Sequence, residues 1–322
     1  MTARHQFECP FRLANRRVWV AGHGGMVGQA LVRRLQKENC IVLTAERTVD
    51  LRRQRETEDW IRDNRPDAIF LAAAKVGGIL ANDTRPAEFL YDNLLIQANV
   101  IEAAWRSGMK KLLALGSSCI YPKEALQPLT ESALLTGPLE QTNKAYAIAK
   151  IAGLMLCESY RRQYGADFIA AMPTNLYGHG DNFDLESSHV VPALMRKIEE
   201  AARLGKSAVT IWGTGRPRRE FLHVDDCADA LVHLMTHYSG DEHVNVGTGT
   251  DIAIRDLAAL IAEIIGYRGE FVYDMSKPDG TLVKRLDVSR LSELGWKASI
   301  DLEAGLRQTY EWYCHRAQAV RV

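Results

Sequence analysis

The chain has 322 residues, 47% of them apolar or aromatic, enough for one large α/β unit plus a smaller one around a sizeable core. Basic and acidic residues number 40 each, which leaves no electrostatic case for a nucleic-acid or anionic-membrane partner; an anionic ligand would need a local cluster of charge. No apolar run approaches the ~20 residues of a membrane span, and the six cysteines form no C-x-x-C pair or metal-ligand spacing, which fits a reduced cytoplasmic compartment and no metal.

Residues 1–14 lack an apolar stretch and read as a flexible extension, not a secretory signal. Residues 17–21 form a short apolar strand, followed at once by Gly22-His23-Gly24-Gly25-Met26-Val27-Gly28. Val27, Leu31 and Leu35 then repeat at helical spacing. Strand, glycine loop and helix in that order let backbone N–H groups approach a pyrophosphate seated on the helix N-terminus. The spacing here is G-x-x-G-x-x-G. Residues 40–45 read as the second strand, with Glu46 and Arg47 at its end. An acid there holds the adenosine ribose hydroxyls of NAD, whereas an Arg meets the extra phosphate of NADP; this chain offers both side by side. Asp50 and Leu51 follow, beside the expected adenine.

Residues 68–74 form a buried third strand running into Lys75-Val-Gly-Gly78, and residues 88–106 an amphipathic helix. The fourth strand, 111–115, ends in Gly116-Ser117-Ser118-Cys119, and the carboxyl ends of parallel strands are where such sheets bind ligands. Residues 143–164 contain no Pro and one glycine, Gly153, and read as a long helix. A spacing of four stacks Tyr146 and Lys150 on one face of it. An ammonium beside a phenol favours the phenolate, which suits proton exchange with an oxygen while a hydride moves at the attached carbon. Residues 167–172 form a fifth strand that empties into Pro173-Thr174-Asn175-Leu176-Tyr177-Gly178. Strands alternating with helices predict an α/β fold, a Rossmann-type doubly wound parallel sheet.

After Gly178 the pattern changes: a polar loop at 180–189, a helix at 190–204, a strand at 209–212 and a loop carrying Arg216, Arg218 and Arg219. Residues 221–226 lead into a helix and 243–246 form a strand, both assigned back to the sheet domain. The prediction is a nucleotide-binding domain of residues 15–178 plus 221–248. Residues 179–220 plus 249–322 form a smaller C-terminal α/β substrate-binding domain.

The glycine loop, the Ser117 position and Tyr146-x-x-x-Lys150 resemble the extended short-chain dehydrogenase/reductases. Within them, Gly22-His-Gly-Gly-Met-Val-Gly28, Ala72-Ala-Ala-Lys-Val-Gly-Gly78, Gly116-Ser-Ser-Cys-Ile-Tyr-Pro122, Pro173-Thr-Asn-Leu-Tyr-Gly178 and Arg219-Glu-Phe-Leu-His-Val-Asp-Asp226 are similar to the GDP-L-fucose synthase family, from about Arg17 to the C-terminus. The resemblance implies 3,5-epimerisation of GDP-4-keto-6-deoxy-D-mannose, reduction at C4 by NADPH, and a homodimer through the Tyr146/Lys150 helix and its neighbour. It implies cofactor contacts from the whole glycine loop, Glu46, Arg47, Asp50, Leu51, Ala73, Ala74, Leu115, Gly116, Ser117, Ser118, Lys150, Pro173, Thr174, Asn175, Leu176 and His189. In the chemistry it implies, Cys119 is the epimerisation base and His189 the acid, and Ser117 polarises the carbonyl. Tyr146 protonates the alkoxide with Lys150 in support. Asn175, Lys197, Trp212, Arg219 and Asp279 are the implied contacts to the GDP-sugar.

Gly24 and Glu46 stand where the family often has Arg, so NADPH and NADH both stay open, and Lys197 replaces an Arg of some members. The rival readings are a GDP-heptose epimerase/reductase, a nucleotide-sugar 4-epimerase and, from another class, a non-catalytic NAD(P)-sensing binding protein. Ser-Ser-Cys after the fourth strand disfavours a dehydratase, which uses an acidic pair there. Retention of both Tyr146 and Lys150 argues for catalysis.

Overall fold

The computed structural model describes residues 11–46, 48–277 and 279–319, with side chains through His315. In chain order its strands are β1 (Arg17–Ala21), β2 (Ile41–Leu43), β3 (Ala68–Leu71), β4 (Lys111–Leu115), β5 (Phe168–Pro173), β6 (Asn175–Tyr177) and β7 (Ala208–Trp212). β8 (Arg218–Arg219), β9 (Phe221–His223), β10 (Val244–Val246), β11 (Ile252–Ala253), β12 (Glu270–Asp274) and β13 (Val283–Lys284) follow. The helices are α1 (Met26–Leu35), α2 (Gln54–Asn64), α3 (Ile79–Thr84), α4 (Pro86–Arg106) and α5 (Lys144–Tyr164). After them come α6 (Val190–Leu204), α7 (Val224–His237), α8 (Ile254–Ile265), α9 (Ser289–Glu293) and α10 (Leu302–Ala319).

Six strands make one sheet in the spatial order β10-β5-β4-β3-β1-β2, and every neighbouring pair is parallel. The chain leaves β1 to one side for β2 and returns to the other for β3, so the loops after β1 and β3 part there and open a crevice at the carboxyl ends. Alternation of side chains along β1 sends Val18 and Val20 to one face and Trp19 and Ala21 to the other. On the first face they meet Leu31 and Leu35 of α1 and Leu231, Leu234 and Met235 of α7. On the second they join Ile69, Leu112, Phe168 and Ile101 of α4. Helices cover both faces, which is why these strands are apolar throughout rather than alternating. A separate core forms beyond Gly178, where Leu194, Met195 and Ile198 of α6 pack with Val209, Ile211, Leu257 and Ile261.

Several boundaries differ from expectation. The second and third strands end at Leu43 and Leu71, short of 45 and 74, because the chain leaves the ladder there for the ligand-side loops. The short helix α3 was not expected; Gly78 precedes it as an extended N-cap, and Pro86 in the first turn of α4 separates the two helices. β10 lies in the six-stranded sheet beside β5, and β9 pairs with β6 in a separate two-stranded ribbon.

Helices α4 and α5 lie side by side on one face, and their contact explains Gly153. Gln97 is buried and donates to the Ala149 carbonyl of α5 at 2.8 Å, and a Cβ on Gly153 would sit 2.2 Å from the Gln97 Oε1. Among the described residues no helix is long and apolar enough to cross a membrane.

Candidate active site

The glycine loop is packed too tightly for side chains at two positions. Gly22 has φ +92°, and a Cβ there would lie 2.5 Å from the Ala73 nitrogen of the loop after β3. On Gly28 it would meet the Gly22 carbonyl at 2.1 Å. Gly24 is different: its Cβ position is open space, so a side chain is dispensable there rather than excluded. Helix α1 starts at Met26 with no side-chain cap and no acid in its first turn, so its amide N–H groups and positive dipole end are available to an anion. His23, Gly25 and Val27 complete this cradle, with Ala73 and Ala74 opposite. Glu46 lies exposed beyond the end of β2. Arg47 lies outside the described residues. Asp50 does not face outward as a free carboxylate. It binds Arg52 through both oxygens at 2.8 and 2.9 Å, because the turn before α2 closes on it, and its pKa is lowered accordingly. Leu51 offers its carbonyl to Asn99 of α4 at 2.9 Å.

At the carboxyl end of β4, Ser117 caps a single 3-10 turn, its Oγ accepting from the Cys119 N–H at 3.4 Å. The Ser117 hydroxyl proton is therefore left for another acceptor. Gly116 is needed here because a Cβ would strike the Met172 sulfur of β5 at 2.0 Å. Cys119 is buried as a free thiol. Burial pushes its pKa up, while Lys284, Ser117 and Lys150 pull it back. Tyr146 packs edge-on against Phe89 of α4 at 6.2 Å, and its hydroxyl makes no hydrogen bond among the described residues. Ser117, Cys119, Tyr146 and Lys150 thus converge where β4 meets α5.

The expected coupling of Tyr146 to Lys150 needs correction. Lys150 is buried and donates to the Leu115 carbonyl at 2.8 Å, with its Nζ 5.8 Å from the phenol ring centroid. The ammonium is drawn to the end of β4, so the phenol gains no help toward ionising. Burial and the neighbouring Cys119 push the Tyr146 pKa above its ordinary value. Burial brings Lys150 down to about 8.

His189 lies at the start of α6, exposed to solvent, its carbonyl accepting from the Ala193 amide at 3.1 Å and its ring without a hydrogen bond or ring contact among the described residues. Desolvation by neighbouring protein lowers its pKa. No hydrogen bond or ion pair joins it to Cys119. Its loop docks on the loop after β3, where Gly78 donates to the Ser187 carbonyl at 3.0 Å.

At the end of β5 and just past it, Pro173 and Thr174 are buried, Leu176 is half-buried, and Asn175 donates to the Glu220 carbonyl at 2.8 Å. Trp212 is 55% exposed, with the Lys197 and Lys277 ammonium groups 5.2 and 5.4 Å from its ring centroid. Arg219 is half-buried, donates to the Arg218 carbonyl, and makes no ion pair among the described residues. Asp279 accepts from Thr214 through both oxygens, from its amide and its hydroxyl, each at 2.7 Å, which leaves each oxygen a second lone pair. It closes the turn after β7.

Sequence reasoning missed three residues. Lys284 of β13 stands in register with Arg219 of β8 and is the largest charge effect drawing the Cys119 thiol down. Lys277 is the second cation at Trp212, and Glu220 is a fully buried acid between β8 and β9. Each acts through contacts between distant segments, so no local spacing signals it.

Residues 18–247, from β1 to just past β10, match a single family pattern across the glycine loop, the β4 terminus and the Tyr146/Lys150 helix. The chain belongs to the NAD dependent epimerase/dehydratase family. Among members of this family, GDP-L-fucose synthase of Sinorhizobium fredii is 57% identical over 302 residues, covering 94% of this chain and 96% of that protein. GDP-L-fucose synthase of Escherichia coli is 51% identical, covering 96% and 100%. A solved structure of a GDP-6-OMe-4-keto-L-xylo-heptose reductase from C. jejuni superposes with a TM-score of 0.89 at 36% identity, covering 95% of this chain and 99% of that one. The six-stranded sheet and its flanking helices are thus the family's architecture.

Proposed function

We propose that this protein is a GDP-L-fucose synthase, an NADP-dependent oxidoreductase with epimerase activity. It inverts C3 and C5 of GDP-4-keto-6-deoxy-D-mannose and then reduces C4. The observation that carries this is the meeting of Ser117, Cys119, Tyr146 and Lys150 at the end of β4, in a chain more than half identical along nearly its full length to GDP-L-fucose synthases. The tight Gly22 and Gly28 cradle and the uncapped α1 N-terminus fit a dinucleotide pyrophosphate, and a gdp-l-fucose synthetase from Naegleria fowleri with the same fold was solved bound to NADP.

The C4 carbonyl acidifies the hydrogens on C3 and C5. Cys119 removes them, with Lys284 and Lys150 offsetting the burial that disfavours its thiolate. His189, on the loop docked against Gly78, returns a proton on the opposite face. Ser117 donates its free hydroxyl proton to the carbonyl oxygen in both stages. A nicotinamide cofactor held at the glycine loop would supply the hydride to C4. Tyr146, kept protonated by burial, then gives its proton to the alkoxide, and Lys150 holds its position against Leu115. Arg219 and Lys197 meet the diphosphate and Trp212 stacks on the base. Residues 15–178 plus 221–248 form the cofactor half and 179–220 plus 249–322 the sugar-nucleotide half of this working unit. The protein acts in the cytoplasm as a homodimer through α5 and α4.

The test is incubation with GDP-4-keto-6-deoxy-D-mannose and NADPH or NADH in deuterated water. Cofactor oxidation with deuterium at C3 and C5 of a GDP-L-fucose product is expected. A protein inert with this substrate but active on a GDP-4-keto-heptose would transfer the reading to the heptose branch.

A further inference from the structure

We infer that Glu220 is the positioning residue of the sugar-nucleotide site: its buried carboxylate ties the strands carrying Arg219 and Lys284 to the edge of the six-stranded sheet. Glu220 is 0% exposed and lies between β8 and β9. Its Oε1 accepts from the Thr248 and Gly249 amides at 2.6 and 2.8 Å, in the turn after β10. Its Oε2 accepts from the Leu286 amide at 2.7 Å, just past β13. Burial raises the Glu220 pKa, and these backbone partners, all of them donors, oppose that rise and favour the carboxylate. Its own backbone completes the joint. The Glu220 amide donates to the Lys284 carbonyl at 3.3 Å, and its carbonyl accepts from Asn175 at 2.8 Å. One residue therefore joins the end of the main sheet, the β6–β9 ribbon and the β8–β13 pair. Gly247 supports the assignment independently, because a Cβ there would lie 2.2 Å from Oε1, so only glycine leaves the carboxylate its place.

A buried acid with this role does not touch the ligand. Replacing it by an amide turns an N–H donor toward a backbone N–H and leaves buried groups unpaired, which lets β8 and β13 shift together. The Arg219 guanidinium on β8 moves away from the diphosphate and the Lys284 ammonium on β13 away from Cys119, whereas the glycine loop, held by β1 and β3, stays in place. This inference rests on the proposed GDP-sugar site, and its test uses GDP itself.

Glu220→Gln is expected to weaken GDP binding by calorimetry at least tenfold and to raise the KM for the GDP-keto-sugar by a similar factor. NADPH affinity should change less than twofold, and the hydride-transfer rate, which does not draw on Cys119, less than threefold. Glu220→Asp, which keeps the charge on a shorter arm, should recover part of the loss, and Gly247→Ala should reproduce it by crowding the carboxylate. A variant folded well enough to bind NADPH normally, with GDP affinity and KM unchanged, overturns the assignment and leaves Glu220 a stability residue. Should the amide variant not fold, Glu220→Asp and Gly247→Ala decide in the same way. Parent protein that binds GDP without turning over the keto-sugar refutes the proposed reaction alone; parent protein that binds no GDP refutes both.

Discussion

Cys119 and Tyr146 share one pocket, and burial acts on both in the same direction, toward the protonated form. For the phenol this is useful, since a proton donor to an alkoxide must reach the site protonated. For the thiol it is a cost, which Lys284 and Lys150 reduce. Cys119→Ser is expected to abolish deuterium exchange at C3 and C5 while GDP binding persists; undiminished exchange would remove the thiol from the chemistry. Tyr146→Phe should lower the reduction rate by on the order of 10²-fold or more with NADPH affinity within about twofold. Equal losses in rate and affinity would make the ring a packing element. Lys150, lowered to about 8, carries its charge below that pH and loses it above. The kcat/KM for reduction should therefore fall as pH rises through about 8, and a profile flat from pH 7 to 9.5 would show that its charge is not needed. These residue types and spacings were readable in the chain, but the direction of the phenol's shift was not, because it depends on where the Lys150 ammonium points.

At the scale of elements, α5 shows packing overriding propensity. An alanine in place of Gly153 adds helix propensity of about 1 kcal/mol, yet its methyl would meet Gln97, whose amide is itself bound to α5. Gly153→Ala is therefore expected to destabilise the protein by about 1–3 kcal/mol, read from denaturant melts; a gain in stability would show that Gln97 yields. The loop from Gly178 to His189 holds a second test. Asp181 is buried with one oxygen bonded to the Asn182 amide and the other without a partner among the described residues, and burial raises its pKa to about 7. The unfolded carboxyl ionises near 3.8, so between that pH and 7 the unfolded chain gives up a proton that the folded one keeps. The stability linked to this group is full below 3.8 and is lost as pH rises to about 7, by up to roughly 4 kcal/mol. Asp181→Asn should thus raise the melting temperature more at pH 8 than at pH 4.5. Equal shifts at both pH values would refute the buried-acid account.

For the whole molecule, Tyr91 of α4 and Ile148 of α5 are 63% and 41% exposed, on the two helices of the proposed dimer contact. Light scattering should return about twice the 36.0 kDa chain mass, and Ile148→Asp should shift it toward the monomer. An unchanged mass in that variant would place the contact elsewhere. The alternation of strands and helices, the crevice loop of glycines and the Tyr146/Lys150 pair were all legible in the chain, because each is set by spacings within one or two turns of backbone. The chain alone therefore determined the doubly wound sheet and which residue types stand at the carboxyl ends of its strands. Tertiary structure decided the rest: that β9 pairs with β6, that Asp279 serves Thr214, that Lys284 comes to Cys119, and that Glu220 joins three strand systems. Those outcomes depend on pairings between segments tens to more than a hundred residues apart, and burial and charge at such meetings exist only once the chain has closed.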